Sequence, residues 1–179
     1  ALILATPAAI LAALGRLAGT GILIKGGSAL ERLASVTAFA FDKTGTLTEG
    51  RLELGEVVPL EGVSVEELLR CAATAEQHSE HLLARLILQE AMRRGLSLEP
   101  IAEFRTYPGI GITAQSSGLE TLVVGNRRLL EEHGLILPPE AQAALERLDA
   151  AGQTTLIVAR GNRVLGVLGA RDCIRWEAA

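Results

Sequence analysis

Phe41-Asp42-Lys43-Thr44-Gly45-Thr46-Leu47-Thr48 is the stretch whose residue types and spacing could carry chemistry. Asp42 ends the apolar run VTAFAF (36–41), whose β-branched and aromatic residues predict a short buried strand. A carboxylate at the carboxyl end of such a strand lies at the rim of an open α/β sheet, where ligands bind. Gly45 allows a tight turn and close approach to an anion, Thr44 and Thr46 add hydroxyls, and the turn's N–H groups can form an anion-binding concavity. One nucleophilic carboxylate among phosphate-gripping donors points to phosphoryl transfer through an aspartyl-phosphate.

Three weaker constellations follow. Glu76 and His81 stand five apart in EQHSEH, before and within the first turn of a predicted helix, whose N-terminus favours anionic ligands. Composition alone reads the same cluster as a solvated cap. Gly109-Ile110-Gly111 leaves backbone bare for a flat base or ribose, though hairpin turns use the same residues; Gly125-Asn126 lies at a strand-to-helix junction. Asp172 and Arg175 form a DxxR spacing that reads equally as a surface ion pair. No Walker A lysine loop occurs, which excludes a P-loop ATPase.

FDKTGTLT resembles the phosphorylation motif of P-type cation-transporting ATPases, members of the haloacid dehalogenase superfamily. ATPAAI before it and SEH, GIG, VGN and RDCIR after it resemble the heavy-metal-transporting branch, in that family's order across essentially the whole chain. The resemblance implies that Asp42 attacks the γ-phosphorus of ATP. The Thr44 carbonyl would help Asp42 hold Mg²⁺, the Thr46 hydroxyl would grip the phosphoryl group, and Lys43 would add positive potential. Glu76, His81, Gly109, Gly111, Gly125 and Asn126 would bind the nucleotide, and Asp172 and Arg175 would form a hinge. Phosphatases of the superfamily place a second aspartate two residues after the nucleophile as general acid and base; Thr44 cannot do that at neutral pH, which favours a lasting acyl phosphate. Two positions depart from the pattern: Leu82 follows the SEH histidine and Trp176 follows DxxR, where the family usually has proline.

The elements that must position these residues follow from periodicity and caps. A helix over 28–35 with Ser28 as N-cap, an alternating strand over 51–60, and a helix from Ser64 to Ala75 with Glu67 completing a capping box are expected. A second helix covers 79–94, with Met92 as core filler; strands cover 101–107, 110–115 and 121–124. Helices over 126–133 and 139–150 precede two strands, 154–159 and 164–168, joined at Gly161-Asn162.

The expected fold is therefore α/β: a partial haloacid-dehalogenase-like phosphorylation domain with an inserted α+β antiparallel-sheet nucleotide-binding domain. With the resemblance, residues 1–18 are the C-terminal part of a transmembrane helix and 19–50 the first segment of the phosphorylation domain. Residues 51–165 are the nucleotide-binding domain and 166–179 the truncated start of the second segment. Mg²⁺ and ATP are the implied cofactors. The implied parent is a multi-pass membrane protein, with this portion mostly cytoplasmic and the transported heavy-metal cation bound outside it. The chain lacks the family's later phosphate-binding lysine and acidic magnesium motif, so it is expected to bind ATP without turning it over. The rival readings are a soluble haloacid-dehalogenase-type phosphatase and a non-catalytic nucleotide-binding module.

Composition fits this frame. At 179 residues, 49% hydrophobic and only 3% aromatic, the chain is an aliphatic α/β protein able to bury a substantial core. A net charge of −4 gives no basic surface for nucleic acid. Cys71 and Cys173 are too few and too far apart for a disulfide framework or zinc site, which fits a reduced setting.

Overall fold

A computed structural model describes residues 2–118 and 120–178, with side chains described for all of these except residues 2–4, 43 and 44. The chain divides into two compact units, Ala1–Asp42 and Lys43–Ala179.

The first unit holds two helices, α1 (Leu2–Ala18) and α2 (Gly27–Ala34). Pro7 lies inside α1 and Arg16 in its last turn. Among the described residues no helix is long and apolar enough to cross a membrane. Gly26, with φ of +91°, takes the N-cap of α2, so Ser28 falls inside the helix and caps nothing. Residues 36–41 correct the expectation of a buried strand: they form no strand, and Val36, Phe39 and Phe41 are exposed. A strand is held by ladder bonds to neighbours, and the described residues of this unit supply none. Phe39 and Phe41 instead stack on each other, ring centroids 6.0 Å apart.

The second unit opens with a π-helical turn, Lys43–Leu47, and then builds one six-stranded sheet. Its strands are β1 (Thr48–Pro59), β2 (Ile101–Tyr107), β3 (Gly111–Ser116), β4 (Thr121–Gly125), β5 (Thr154–Arg160) and β6 (Arg163–Ile174). Their order is β1-β6-β5-β4-β3-β2, and every pairing is antiparallel. This is the sheet the hairpin signals predicted, and Gly161 turns β5 into β6 with φ of +55°. β6 is longer than expected, because Leu52, Glu53 and Leu54 of β1 pair with Asp172, Arg171 and Ala170. The expected divisions at 50/51 and 165/166 thus fall inside β1 and β6, two strands that are each other's neighbours.

Helices cover both faces. α3 (Val65–Glu76) and α4 (Leu82–Arg93) bury Leu68, Leu69, Ala72 and Ile87 against Ile112, Leu122, Val124 and Leu168. α5 (Arg127–Glu132) and α6 (Pro139–Ala150) bury Leu129, Leu130 and Leu148 against Val123, Ile157 and Val167. Burial on both faces explains why β4 reads as an unbroken apolar run instead of alternating. Ser64 caps α3 as its capping box predicts, accepting from the Glu67 N–H at 3.0 Å. Met92 is not core filler: it is 70% exposed, because α4 turns that side outward.

Candidate functional site

Asp42 ends the first unit with its side chain exposed, as a nucleophile requires. In the turn that opens the second unit, the side chains of Lys43 and Thr44 lie outside the described residues, and Thr46 is exposed. Gly45 has φ of +79°, and its N–H donates to the Thr48 hydroxyl at 3.1 Å. That Thr48 hydroxyl in turn donates to Asp172 Oδ2 at 2.6 Å. Arg175 Nε donates to the Thr48 carbonyl at 3.0 Å, and the Arg175 N–H donates to the Leu47 carbonyl at 2.9 Å.

Asp172 and Arg175 therefore do not pair with each other; both grip Thr48. The arrangement ties the chain where it enters the sheet to the chain where it leaves. Asp172 Oδ1 is buried with no partner, at the edge of a cavity of about 710 Å³ lined by Leu47, Thr48, Glu53, Gln153, Arg171 and Cys173 among others. Thr48 is the functional candidate that motif reading passed over. Its place as the last residue of DKTGTLT, 124 positions before Asp172, gave no signal of the contact.

The nucleotide-site candidates gather in two groups. In the first, Gly111 and Gly125 face each other across the β3–β4 ladder. A Cβ on Gly111 would collide with the Val124 carbonyl and lie 2.8 Å from Leu129 Cδ2; one on Gly125 would collide with the Ile110 carbonyl. Gly109 is exposed with φ of +76° and open space around it. Asn126 binds these pieces together. Its N–H donates to the Ile110 carbonyl at 2.8 Å, its Oδ1 accepts from the Leu129 N–H at 3.2 Å, and its Nδ2 donates to the Gly109 carbonyl at 3.4 Å.

In the second group, Glu76 ends α3 and His81 caps α4. Glu76 is only 5% exposed and its Oε2 has no partner. Burial raises its pKa above the ordinary 4.5, partly countered by a hydrogen bond from Ser79. His81 is exposed and its Nδ1 accepts from the Leu83 N–H at 3.2 Å. The other histidine of EQHSEH, His78, meets Phe104 edge to face, ring centroids 6.1 Å apart. Leu82 at the first helical position does not prevent this cap. The two groups share a support, since α3 packs on β3 and β4.

Chemically, the described residues offer an exposed carboxylate, a glycine turn, a bare backbone edge and a capping histidine. The haloacid dehalogenase-like hydrolase model matches residues 36–179. The probable copper-exporting P-type ATPase of Archaeoglobus fulgidus is 42% identical over 175 residues, 98% of this chain and 21% of that protein. The zinc/cadmium/lead-transporting P-type ATPase of Shigella sonnei is 42% identical over 180 residues, 100% of this chain and 24% of that protein. The chain thus spans about a quarter of the length of the curated relatives it matches. A crystal structure of a zinc-transporting PIB-type ATPase in its E2.Pi state superposes with a TM-score of 0.74 and 41% identity, covering 99% of this chain and 28% of that one. With the motif, the sheet and these matches in agreement, the chain belongs to the haloacid dehalogenase-like hydrolases and corresponds to the phosphorylation and nucleotide-binding region of heavy-metal P-type ATPases.

Proposed function

We propose that this chain is the ATP-binding and phosphorylation portion of a membrane pump that moves a heavy-metal cation, with the region described here on the cytoplasmic side. The observation that carries the reading is FDKTGTLT at 41–48 inside a similarity that runs the length of the chain. An Asp42 carboxylate oxygen attacks the γ-phosphorus of ATP; the bond from that phosphorus to the β–γ bridging oxygen breaks, and ADP leaves. Water later cleaves the acyl phosphate to release inorganic phosphate, and the free energy drives transport. The nucleotide phosphates would carry Mg²⁺, which would supply positive charge to offset theirs. The exposed Asp42 carboxylate suits such an ion, and Asp42 and the Thr44 carbonyl would help to hold it. Thr46 would steady the transferred group, and Lys43 would add positive potential.

Residues 1–18, on this reading, are the end of a membrane helix and 19–50 the first phosphorylation segment. Residues 51–165 are the nucleotide-binding insert, and 166–179 begin the second segment. Glu76, His81, Gly109, Gly111, Gly125 and Asn126 serve the nucleotide. Asp172 and Arg175 act as the hinge, a role supported by their shared grip on Thr48.

The test is Asp42→Asn in the chain and in a full-length parent. Mg-ATP affinity should survive in the chain, while acid-stable phosphoenzyme formed from γ-labelled ATP should vanish in the parent. Phosphoenzyme persisting in the parent that carries Asp42→Asn would refute the assignment of the nucleophile.

A further inference from the structure

β2 is an edge strand: β3 runs along one side of it, and no strand of the described residues runs along the other. Outside the β2–β3 ladder, residues 102–106 make no backbone hydrogen bond among the described residues. In an antiparallel ladder every second residue turns its N–H and C=O away from the neighbouring strand, so the outer margin of β2 carries open donors and acceptors. Ala102, Glu103, Arg105 and Thr106 are exposed along it, and Phe104 is half-buried.

Edges are commonly guarded by bulges or by lysines that repel a second strand. The irregularity in β2 falls between Ile101 and Glu103, which leaves 103–107 in unbroken register with β3. The charges that follow are of both signs and flank Phe104 symmetrically. Glu103 and Arg105 share one face of the strand and lie 3.5 Å apart within the chain. When two copies of β2 run antiparallel with Phe104 opposite Phe104, Glu103 of each faces Arg105 of the other. Two ion pairs then form on one face and an aromatic pair on the opposite face, and both kinds of cross-strand pair stabilise a sheet. Parallel stacking in register sets Glu103 on Glu103 and Arg105 on Arg105. The charges therefore select a two-fold antiparallel pair, which uses each β2 edge once and closes.

We propose that β2 is a self-recognition edge, through which two copies of this chain join antiparallel about Phe104, so that the six strands of each form one continuous sheet. One strand pair is a small interface, so the dimer is a weak one. Gly109 lies beyond the paired segment, and the inference stands apart from the ATP reading.

The experiment is sedimentation velocity of the chain from about 10 µM to about 1 mM, the range in which a small interface dissociates. Wild type should pass from monomer to dimer as concentration rises, and less readily as salt rises. Arg105→Glu alone, or Glu103→Arg alone, sets like charges opposite each other at both ends and should weaken association about tenfold or more. The double exchange Glu103→Arg with Arg105→Glu recreates both opposite pairs and should restore association. Mixing the two single variants should give a heterodimer. Both side chains are exposed, and circular dichroism checks that each variant is folded. Amide hydrogen exchange of wild type, dilute against concentrated, gives a reading free of any variant: residues 102–106 should gain protection. A wild type that stays monomeric throughout overturns the proposal. So does association that the single reversals leave unchanged, that the double exchange fails to restore, or that protects amides elsewhere and not in β2.

Discussion

Replacing Gly111 by alanine should cost the chain about two to three times as much stability as the same change two residues earlier. Both glycines hold a positive φ, +76° at Gly109 and +144° at Gly111. Adopting such a backbone costs an L residue about 1–2 kcal/mol. At Gly109 nothing lies within 4 Å of the added carbon, so that strain is nearly the whole effect. At Gly111 the new methyl would meet the Val124 carbonyl, the Gly125 Cα at 2.5 Å and Leu129 Cδ2 at 2.8 Å. Two of those are backbone, and Leu129 is fully buried, so none has room to yield. Overpacking of that kind adds about 1–3 kcal/mol, for a total of roughly 2–5 kcal/mol. Thermal unfolding followed by circular dichroism should show Tm lowered by about 4–20 °C for Gly111→Ala and about 2–8 °C for Gly109→Ala. Equal shifts, or a cost at Gly111 under about 1 kcal/mol, would refute the reasoning. The result also decides how lost ATP binding is interpreted: at Gly111 it would report a damaged fold, whereas Gly109→Ala probes the exposed edge.

Three further outcomes follow from the same structure. Burial holds the native Glu76 carboxyl above its ordinary 4.5, so the folded chain binds more protons than the unfolded one; stability from this group is present below about 4.5 and is lost as pH rises through the raised native value. Urea midpoints of wild type and Glu76→Gln should therefore diverge in the variant's favour as pH climbs through that window, and a constant difference would contradict the sign. The Cys71 thiol is pushed up to about 12, chiefly by burial, so at pH 8 iodoacetamide should label the half-buried Cys173 and spare Cys71 until the chain is denatured, as mass spectrometry of tryptic peptides would show. Thr48→Val removes the hydroxyl bonded to Asp172 and leaves a second carboxylate oxygen unsatisfied, which should cost about 1–3 kcal/mol in chemical denaturation, against under about 0.5 kcal/mol for the exposed Thr46→Val.

Much of the insert was legible because its signals are local. Ser64 and Glu67 lie within one helical turn of each other, and Gly161-Asn162 names its own hairpin. What failed needed a neighbour that spacing does not reveal. VTAFAF has the composition of a buried strand, but composition states only that a run can be buried, and among the described residues of its unit no strand lies beside it. Met92 falls near the apolar spacing of α4, yet Leu83, Ala84, Ile87 and Ala91 already fill the inward stripe and leave it outside. RDCI lies beyond the expected strand 164–168; pairing of Arg171 Nε with the Glu53 carboxylate across the ladder, at 2.9 Å, accommodates it on an edge pair open to solvent.

The glycine motifs show why a site can be found in a sequence for a reason different from the one that keeps it there. Gly111 and Gly125 stand fourteen residues apart and become cross-strand partners, where neither has room for a side chain. Asn126 commits its side chain and its N–H to that junction, closing α5 with one oxygen and clasping the Ile110 and Gly109 carbonyls with two nitrogens. None of those bonds needs a ligand. Of the three glycines, only Gly109 is exposed in open space with nothing packed against it. Gly111, Gly125 and Asn126 act first as a rigid frame, so a nucleotide meeting this edge would meet backbone already fixed before it arrives, which lowers the ordering cost of binding.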